Sequence, residues 1–337
     1  MTASTDIATI WAFIIAFAVF VYVVMDGFDL GLGMLFPLFP EKADRDVIMN
    51  SVAPVWDGNE TWLVLGGGGL MAAFPLAYAV LMPALYSPIV AMLIGLIFRG
   101  VAFEFRWRTT QTGRNLWDIA FAGGSLLAAL AQGIALGTVL QGVHVEGRHY
   151  AGGWWDWLTP FSILTGLAIV VGYSLLGATW LVMKTEGELR DKAYRLSWGL
   201  MVAMLCAIGA VSIATPFLHV QYTQRWFSWP NIVLTAPVPI AVAGVAVLLL
   251  RSLANKSDYQ PFFLSLALFA LSYAGLGISM YPYIVPQSIT IWQAASPVSS
   301  QVFMLFGVAV LIPLILGYTG WAYWVFRGKV KPGAGYH

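Results

Sequence analysis

The fold of this protein is decided by residues 11–39, which read WAFIIAFAVFVYVVMDGFDLGLGMLFPLF. An α-helix needs about 20 mostly apolar residues to cross the hydrocarbon core of a bilayer, and this stretch exceeds that length. It nevertheless contains two carboxylates, Asp26 and Asp29. A charged side chain at the centre of a membrane helix costs about 2.5–3.5 kcal/mol on insertion scales. We therefore expect these acids to be paired, hydrated or functional.

The composition of the whole chain is that of a polytopic membrane protein. Hydrophobic residues make up 59% of the 337 residues, charged residues 10%, and the mean hydropathy is +0.78. A soluble domain carries about 25% charged residues. The net charge of +1 argues against a nucleic-acid-binding protein, and the single Cys206 offers neither a disulfide nor a cysteine-based metal site. The apolar run that begins near residue 10 is too long for a signal peptide, so we expect the first helix to be retained.

Nine stretches of the chain are long and apolar enough to cross a membrane. They lie near residues 10–38, 58–82, 84–105, 117–141, 160–183, 197–219, 231–250, 262–284 and 302–326. Pro83 and Pro88 in LMPALYSP mark the expected turn between the second and third stretches. The predicted fold class is an all-α integral membrane protein with nine transmembrane helices, in two four-helix bundles plus one peripheral helix. Residues 1–337 then form a single polytopic membrane domain.

The distribution of basic residues tests this count, because cytoplasmic loops carry an excess of lysine and arginine. With nine crossings, one side receives 14 basic residues and the other two, Arg148 and Arg225; Arg99 lies inside a helix. The 14 residues of the basic side are Lys42, Arg45, Arg106, Arg108, Arg114, Lys184, Arg190, Lys192, Arg195, Arg251, Lys256, Arg327, Lys329 and Lys331. A missing helix in the middle would destroy this asymmetry. We therefore predict an outer N-terminus and a cytoplasmic C-terminus.

A weak internal repeat is also present. GFDLGLGMLFPLFPEKADRD, at the end of the first predicted helix, is similar to GYSLLGATWLVMKTEGELRD at the end of the fifth. Both helices run inward in the predicted topology. Residues 10–141 and 160–284 are thus predicted to be parallel halves, with the last helix, 302–326, peripheral to both.

The predicted topology places five ionisable residues in the cytoplasmic half of the membrane. Asp26 and Asp29 lie late in the first helix, Asp57 and Glu60 lie early in the second, and Arg99 lies in the last third of the third. The members of each acidic pair are three residues apart, so each pair shares one helix face. The sequence therefore predicts one site with four carboxylates and one arginine.

Two interpretations of this site stay open from the residues alone. One is a structural ion-pair network that holds three helices together. The other is a proton relay or a cation site entered from the cytoplasm, because intramembrane ionisable residues usually mark function. In the second case Asp57 is the candidate first proton acceptor, Asp29 or Glu60 the next one, and Arg99 sets the local potential. Asp29 and Glu60 are also the candidate ligands of a cation.

Histidine is absent from the predicted membrane core. His144 and His149 fall in an outer loop, His219 at an outer helix end and His337 at the terminus. Because haem sites in membrane helices usually need histidine at depth, we predict that this chain binds no haem itself. The run Gly66–Gly69 lacks the lysine and the strand of a phosphate loop, so close helix packing is its expected role.

Three motifs resemble subunit II of the cytochrome bd-type quinol oxidases. They are MDGFDLGLGML at 25–35, NSVAPVWDGNETWLVLGGGGLMAAFP at 50–75 and FRGVAFEFR at 98–106. They cover most of the first three helices in the order that the family has. The compact length is similar to that of the cyanide-insensitive branch of the family.

The resemblance implies a heterodimer in a bacterial inner membrane, with the N-terminus periplasmic. Subunit I would carry the haems, b and d or b only, and would oxidise quinol and reduce dioxygen. This chain would complete the complex, with a bound quinone or lipid and with small single-helix subunits as further partners. By similarity, Asp57 falls at the mouth of a cytoplasmic proton pathway, and Asp29 and Arg99 fall near it. The alternative from another class is a proton- or cation-coupled secondary transporter, and a third reading is an assembly scaffold.

Overall fold

The protein is described from a computed structural model that covers residues 2–330, without the side chains of residues 2–5 and 111; Lys331 and His337 lie outside these residues. The helices are α1 (Thr2–Leu35), α2 (Lys42–Val52), α3 (Trp56–Ala73), α4 (Pro75–Ala84), α5 (Tyr86–Phe105), α6 (Gln111–Gln141), α7 (Pro160–Lys184), α8 (Gly187–Leu218), α9 (Val220–Phe227), α10 (Ile232–Thr235), α11 (Pro237–Ala254), α12 (Gln260–Met280), α13 (Ile291–Ala294) and α14 (Val298–Val325). Short 3-10 turns span Phe36–Leu38 and Arg106–Arg108. Two antiparallel hairpins pair β1 (Val145–Glu146) with β2 (His149–Tyr150) and β3 (Tyr283–Val285) with β4 (Ile289–Thr290).

Among the described residues, eight helical stretches are long and apolar enough to cross a membrane. They correspond to α1, α5, α6, α7, α8, α10 with α11, α12 and α14. The predicted all-α, multi-pass membrane fold is thus confirmed. The count of nine crossings, the two-bundle arrangement and the parallel halves stay predictions.

The second predicted span, 58–82, forms two consecutive helices. The backbone leaves the helical region at Phe74, because Pro75 lacks an N–H group and disfavours the α conformation of the residue before it. Helix α3 also falls short of the hydropathy of a membrane span, since its first turns carry Asp57, Asn59 and Glu60. The expected turn before the third span is found at Leu85, between α4 and α5.

Ion pairs bring the basic loops together at one end of the bundle. Arg45 after α1 lies 2.9 Å from Asp118 of α6, and Arg106 after α5 lies 2.6 Å from Asp46. Lys192 of α8 lies 3.2 Å from Asp44. We call this end of the bundle the basic end. It comprises segments 36–55, 106–110, 185–186, 255–259 and 326–330. Because α1 and α5 both finish there, α3 and α4 together carry the chain from the basic end to the opposite one.

Close backbone approach holds the central helices α1 and α7 together. Gly31 and Gly177 face each other, and a Cβ atom added at Gly177 would lie 2.6 Å from the carbonyl carbon of Gly31. Phe28 of α1 stacks on Trp180 of α7 beside this contact, with a centroid separation of 4.2 Å. Small residues of this kind allow helices to pack tightly in a membrane, where water does not drive them together.

The glycine run in α3 has two different faces. Gly66 and Gly69 pack against Val19 and Ile15 of α1, so the predicted packing role holds for these two. Gly67 and Gly68 point to the surface, and a Cβ there would meet nothing within 4 Å.

Several helices extend beyond the apolar stretches that predicted them. Helix α8 begins at Gly187, ten residues before the predicted boundary at 197, because GELRDKAYRL is polar but rich in good helix formers. Helix α14 is mostly exposed along its length. Its end is fixed at the basic end, where the Lys184 ammonium donates to Phe326 O at 2.5 Å and Val330 N–H donates to Lys184 O at 2.8 Å.

Candidate functional site

Arg99 of α5 is the centre of a polar cluster inside the helix bundle. Its guanidinium is fully buried, and Nη2 forms an ion pair with Asp26 of α1 and lies 2.9 Å from Glu60 Oε1 of α3. The Trp56 ring lies beside the guanidinium, with 5.6 Å between the ring centroid and Cζ. The structure thus brings three of the five predicted residues into direct contact, and they join three helices.

Asp29 is buried one turn further along α1, and a different group binds it. Asn59 of α3 donates through Nδ2 to Asp29 Oδ2 at 2.7 Å and to Met25 O at 3.3 Å. The Tyr323 hydroxyl of α14 in turn donates to Asn59 Oδ1 at 2.9 Å. Within residues 2–330, Asp29 makes no ion pair. Its hydrogen-bond donor is the neutral amide of Asn59.

Asp57 lies apart from this contact network, in the exposed first turn of α3. Glu60 follows one turn later on the same face, and its side chain is 30% exposed. Asp26 and Asp29 are fully buried. From the basic end of α3 inward, the carboxylates are therefore first exposed, then half-buried and finally buried.

A second hydrogen-bonded group lies next to Asp26. The Tyr173 hydroxyl of α7 donates to Gln132 Oε1 at 2.8 Å, and Gln132 Nε2 of α6 donates to the Tyr22 hydroxyl at 2.7 Å. Tyr22 precedes Asp26 by one turn of α1, so this group lies beside the buried cluster.

Sequence reasoning missed the neutral members of both networks. Asn59 could have been found, because it stands between Asp57 and Glu60 in WDGNE. Gln132 also carried a signal, as a lone amide in the middle of the apolar stretch LAALAQGIAL. Tyr22, Tyr173 and Tyr323 carried none, because most aromatic residues of membrane helices have packing or interfacial roles.

The remaining charged residues near the cluster form ordinary ion pairs at the basic end. Asp118 binds both Arg45 and Arg106, which ties α6 to the loops after α1 and α5. Glu104 is exposed and lies 3.6 Å from Arg108, four residues later. Neither acid belongs to the buried cluster.

His144 and His219 have partners away from the Arg99 cluster. His144 is exposed and lies 3.3 Å from Glu146, and His219 Nε2 lies 2.6 Å from Gln141 O. Over residues 2–330, no group of three or more histidine, cysteine, aspartate or glutamate side chains could hold a metal ion.

These features define a class of protein: a multi-pass helical membrane protein whose buried arginine–carboxylate cluster opens toward one end. Residues 7–326 match the family model described as cytochrome bd terminal oxidase subunit II. The chain is 31% identical to cytochrome bd-I ubiquinol oxidase subunit 2 of Escherichia coli K12, over 95% of this chain and 94% of the relative. It is 28% identical to cytochrome bd ubiquinol oxidase subunit 2 of Bacillus subtilis, over 96% of each chain.

A solved structure has the same fold. It is the bd oxidase from Geobacillus thermodenitrificans, which matches with a TM-score of 0.73 at 18% identity, over 95% of this chain and 98% of that one. The chain belongs to the cytochrome bd terminal oxidase subunit II family. The resemblance read from the three motifs is confirmed, and the protein is a membrane subunit of a terminal oxidase.

Proposed function

We propose that this chain is the non-haem subunit of a quinol oxidase and that it delivers protons from the cytoplasm to the haem site of subunit I. Reduction of dioxygen to water consumes protons together with electrons, so a buried haem site needs a path for them. The observation that carries the proposal is the graded burial of carboxylates, from the exposed Asp57 through Glu60 to Asp29. Such a series offers proton-accepting groups from the surface to the interior.

The order of the carboxylates follows from their surroundings. Asp57 is accessible from the basic end, and it stands in the first turn of α3, where the helix dipole favours a carboxylate. Glu60 shares its face one turn later and contacts Arg99. Asp29 is fully buried, forms no ion pair within residues 2–330, and accepts a hydrogen bond from the neutral Asn59 amide. Arg99 stabilises the cluster while protons pass.

The partners in this proposal are those of the family. The names of the E. coli and B. subtilis relatives describe subunit 2 of ubiquinol oxidases, which implies a subunit I that carries the haems. The chain would lie in a bacterial inner membrane with its N-terminus periplasmic and its basic end, with the C-terminus, cytoplasmic, as the excess of lysine and arginine favours. A bound quinone or lipid, small single-helix subunits and membership of the cyanide-insensitive branch stay predictions.

No specific observation favours the other candidate functions. A cation at Asp29 and Glu60 stays a prediction, but each acid already has another partner, Asn59 and Arg99 respectively. The transporter alternative has no support from the family match.

Neutralising the route should slow oxygen reduction in the assembled two-subunit complex. We expect Asp57→Asn and Asp29→Asn to lower quinol-dependent oxygen consumption about tenfold or more, because each removes a proton-accepting group. The measurement is oxygen uptake per haem, with the visible spectrum recorded to show that the haem content is retained.

Glu104→Gln is the matched control, since Glu104 is an exposed acid of the same end whose side chain is 65% accessible. It should keep normal turnover. Unchanged turnover in both Asp57→Asn and Asp29→Asn would contradict proton delivery and would leave the scaffold role.

A further inference from the structure

Helix α9 follows α8 at the end of the bundle opposite the basic end. Val220 and Phe227 are seven residues apart and so share one face of α9, and both are exposed. Gln221 and Arg225 are polar positions of the same helix. A helix with both kinds of surface suits the boundary between lipid headgroups and acyl chains. The exposed Trp229, just after α9, is also typical of that boundary.

Hydrogen bonds hold the other side of α9 against the bundle. The Tyr222 hydroxyl donates to Leu140 O of α6 at 2.8 Å, and Trp226 Nε1 donates to Ser279 Oγ of α12 at 2.8 Å. Thr235 Oγ1 of α10 donates to Trp226 O at 2.9 Å. The position of α9 relative to α6 and α12 is therefore fixed before any ligand binds, which lowers the entropic cost of binding.

A shallow cleft lies where α9 meets the end of α12 and the β3–β4 hairpin. Its described lining includes Gln221, Arg225, Ser279 and Gln287, and Arg225 is the charged member. Guanidinium, amide and hydroxyl groups are all hydrogen-bond donors, and arginine in particular pairs with phosphate oxygens. The side chains of the cleft therefore suit an anionic ligand with further hydroxyl groups.

Arg225 has hydrogen-bonding capacity left for such a ligand. Its Nη1 donates to Ile278 O at 3.1 Å, where a cation suits the carbonyl end of α12. A guanidinium has five N–H donors, so this bond uses one of them. Arg225 is half-buried and forms no ion pair within residues 2–330. The cleft thus holds one positive charge that no described carboxylate neutralises.

The helix surfaces on either side of α9 in the chain are apolar. The membrane-spanning parts of α8 and α11 are largely exposed. Phe217, in the last turn of α8, and Leu234, in α10, extend this exposed apolar surface toward α9. A phospholipid has the two parts that these surfaces suit, because its phosphate can pair with Arg225 and its acyl chains can cover the helices.

We propose that the cleft at α9 binds the headgroup of an anionic phospholipid of the phosphatidylglycerol type, in the membrane leaflet opposite the basic end. Arg225 pairs with the phosphate, and Gln221 and Gln287 bind the hydroxyl groups of the headgroup. The single negative charge of this lipid matches the single cation of the cleft. Phosphatidylcholine carries a cation of its own and suits the cleft less well.

Native mass spectrometry of the delipidated two-subunit complex tests the site, with dioleoyl phosphatidylglycerol as the added lipid and dioleoyl phosphatidylcholine as the reference. The wild-type complex should prefer phosphatidylglycerol. Arg225→Gln should weaken the binding of one phosphatidylglycerol about ten- to a hundredfold, because a hydrogen bond to a charged group is lost. Arg148→Gln is the matched control, since it removes the other basic residue of this end, in the exposed turn between β1 and β2. It should leave the binding unchanged.

A second variant changes the charge of the cleft but favours the helical structure of α9. Gln221→Glu places a carboxylate four residues before Arg225, a spacing at which opposite charges stabilise a helix. The same carboxylate neutralises the guanidinium, so the preference for phosphatidylglycerol should disappear. This test holds even if Arg225→Gln does not assemble. Gln224→Glu is its control, because it adds the same charge to an exposed position of α9 outside the cleft lining, and it should keep the preference.

Three results would overturn the assignment. One is equal binding of phosphatidylglycerol by the wild type, Arg225→Gln and Gln221→Glu. Another is displacement of the lipid by inorganic phosphate at an equal concentration, which would make the cleft a site for free phosphate. The third is loss of subunit I from both variants with lipid binding unchanged, which would make this face a protein contact. Binding is measured without turnover, so these results are independent of the proposed proton route.

Discussion

Replacing Arg99 with leucine should prevent stable assembly of the complex. The change leaves Asp26 buried among apolar helices without its cation, and it also removes the cationic partner of Glu60. Breaking a buried ion pair on one side costs about 3–5 kcal/mol, a large part of the stability of most proteins. The expected result is a strong loss of haem-containing complex on size-exclusion chromatography after mild heating.

Two further variants decide whether this loss comes from the unpaired charge. Arg99→Leu/Asp26→Asn should recover much of the assembly, because removing both members of a buried pair is often close to neutral. Arg108→Leu should behave as wild type, since Arg108 is 80% exposed and, among residues 2–330, its ion pair is with Glu104, four residues earlier. Normal heat resistance of Arg99→Leu would show that the pair does not hold α5 to α1.

A single methyl group at Gly177 should also destabilise the protein strongly. The added Cβ would lie 2.6 Å from the carbonyl carbon of Gly31 and 2.7 Å from Leu32 N. These are backbone atoms, so the clash is relieved only if α1 and α7 move apart. Overpacking costs typically about 1–3 kcal/mol, and here it would also displace the helix that carries Asp26 and Asp29. We expect Gly177→Ala to lower both thermal stability and oxygen uptake.

Gly199 provides the matched control for this substitution. It lies in the same class of long helix, is exposed, and a Cβ there would meet nothing within 4 Å. Gly199→Ala should be neutral or slightly stabilising, because alanine is favoured over glycine in a helix by about 0.8–1 kcal/mol. Equal melting temperatures for the two variants would contradict the close approach of α1 and α7.

Much of the architecture was predictable because hydropathy and charge act locally along the chain. Apolar runs predicted the long helices, and the lysine and arginine pattern placed the loops that the ion pairs Arg45–Asp118 and Arg106–Asp46 bring together. The break at Phe74 was missed because the apolar run continues through Pro75. The early start of α8 was missed because its first turns are polar.

The candidate site was only partly predictable, for a different physical reason. Spacing showed that Asp26 and Asp29 share a face of α1, but pairing with Arg99 depends on how α1, α3 and α5 are rotated and packed. The sequence therefore predicted one site with five charged residues. In the structure Asp26, Glu60 and Arg99 are in contact, whereas Asp57 is exposed. The neutral donors Asn59 and Gln132 come from tertiary packing and have no charge pattern to reveal them.

Helix α14 has a consequence for how this enzyme subunit should be handled in the laboratory. Most residues of α14 are exposed. The Tyr323 hydroxyl, however, donates a hydrogen bond to Asn59, and Asn59 donates one to Asp29. A small displacement of α14 would therefore change the hydrogen bonding of the buried Asp29. Conditions that displace α14 should therefore disturb the hydrogen bonding of Asp29 before any unfolding of the helices is visible.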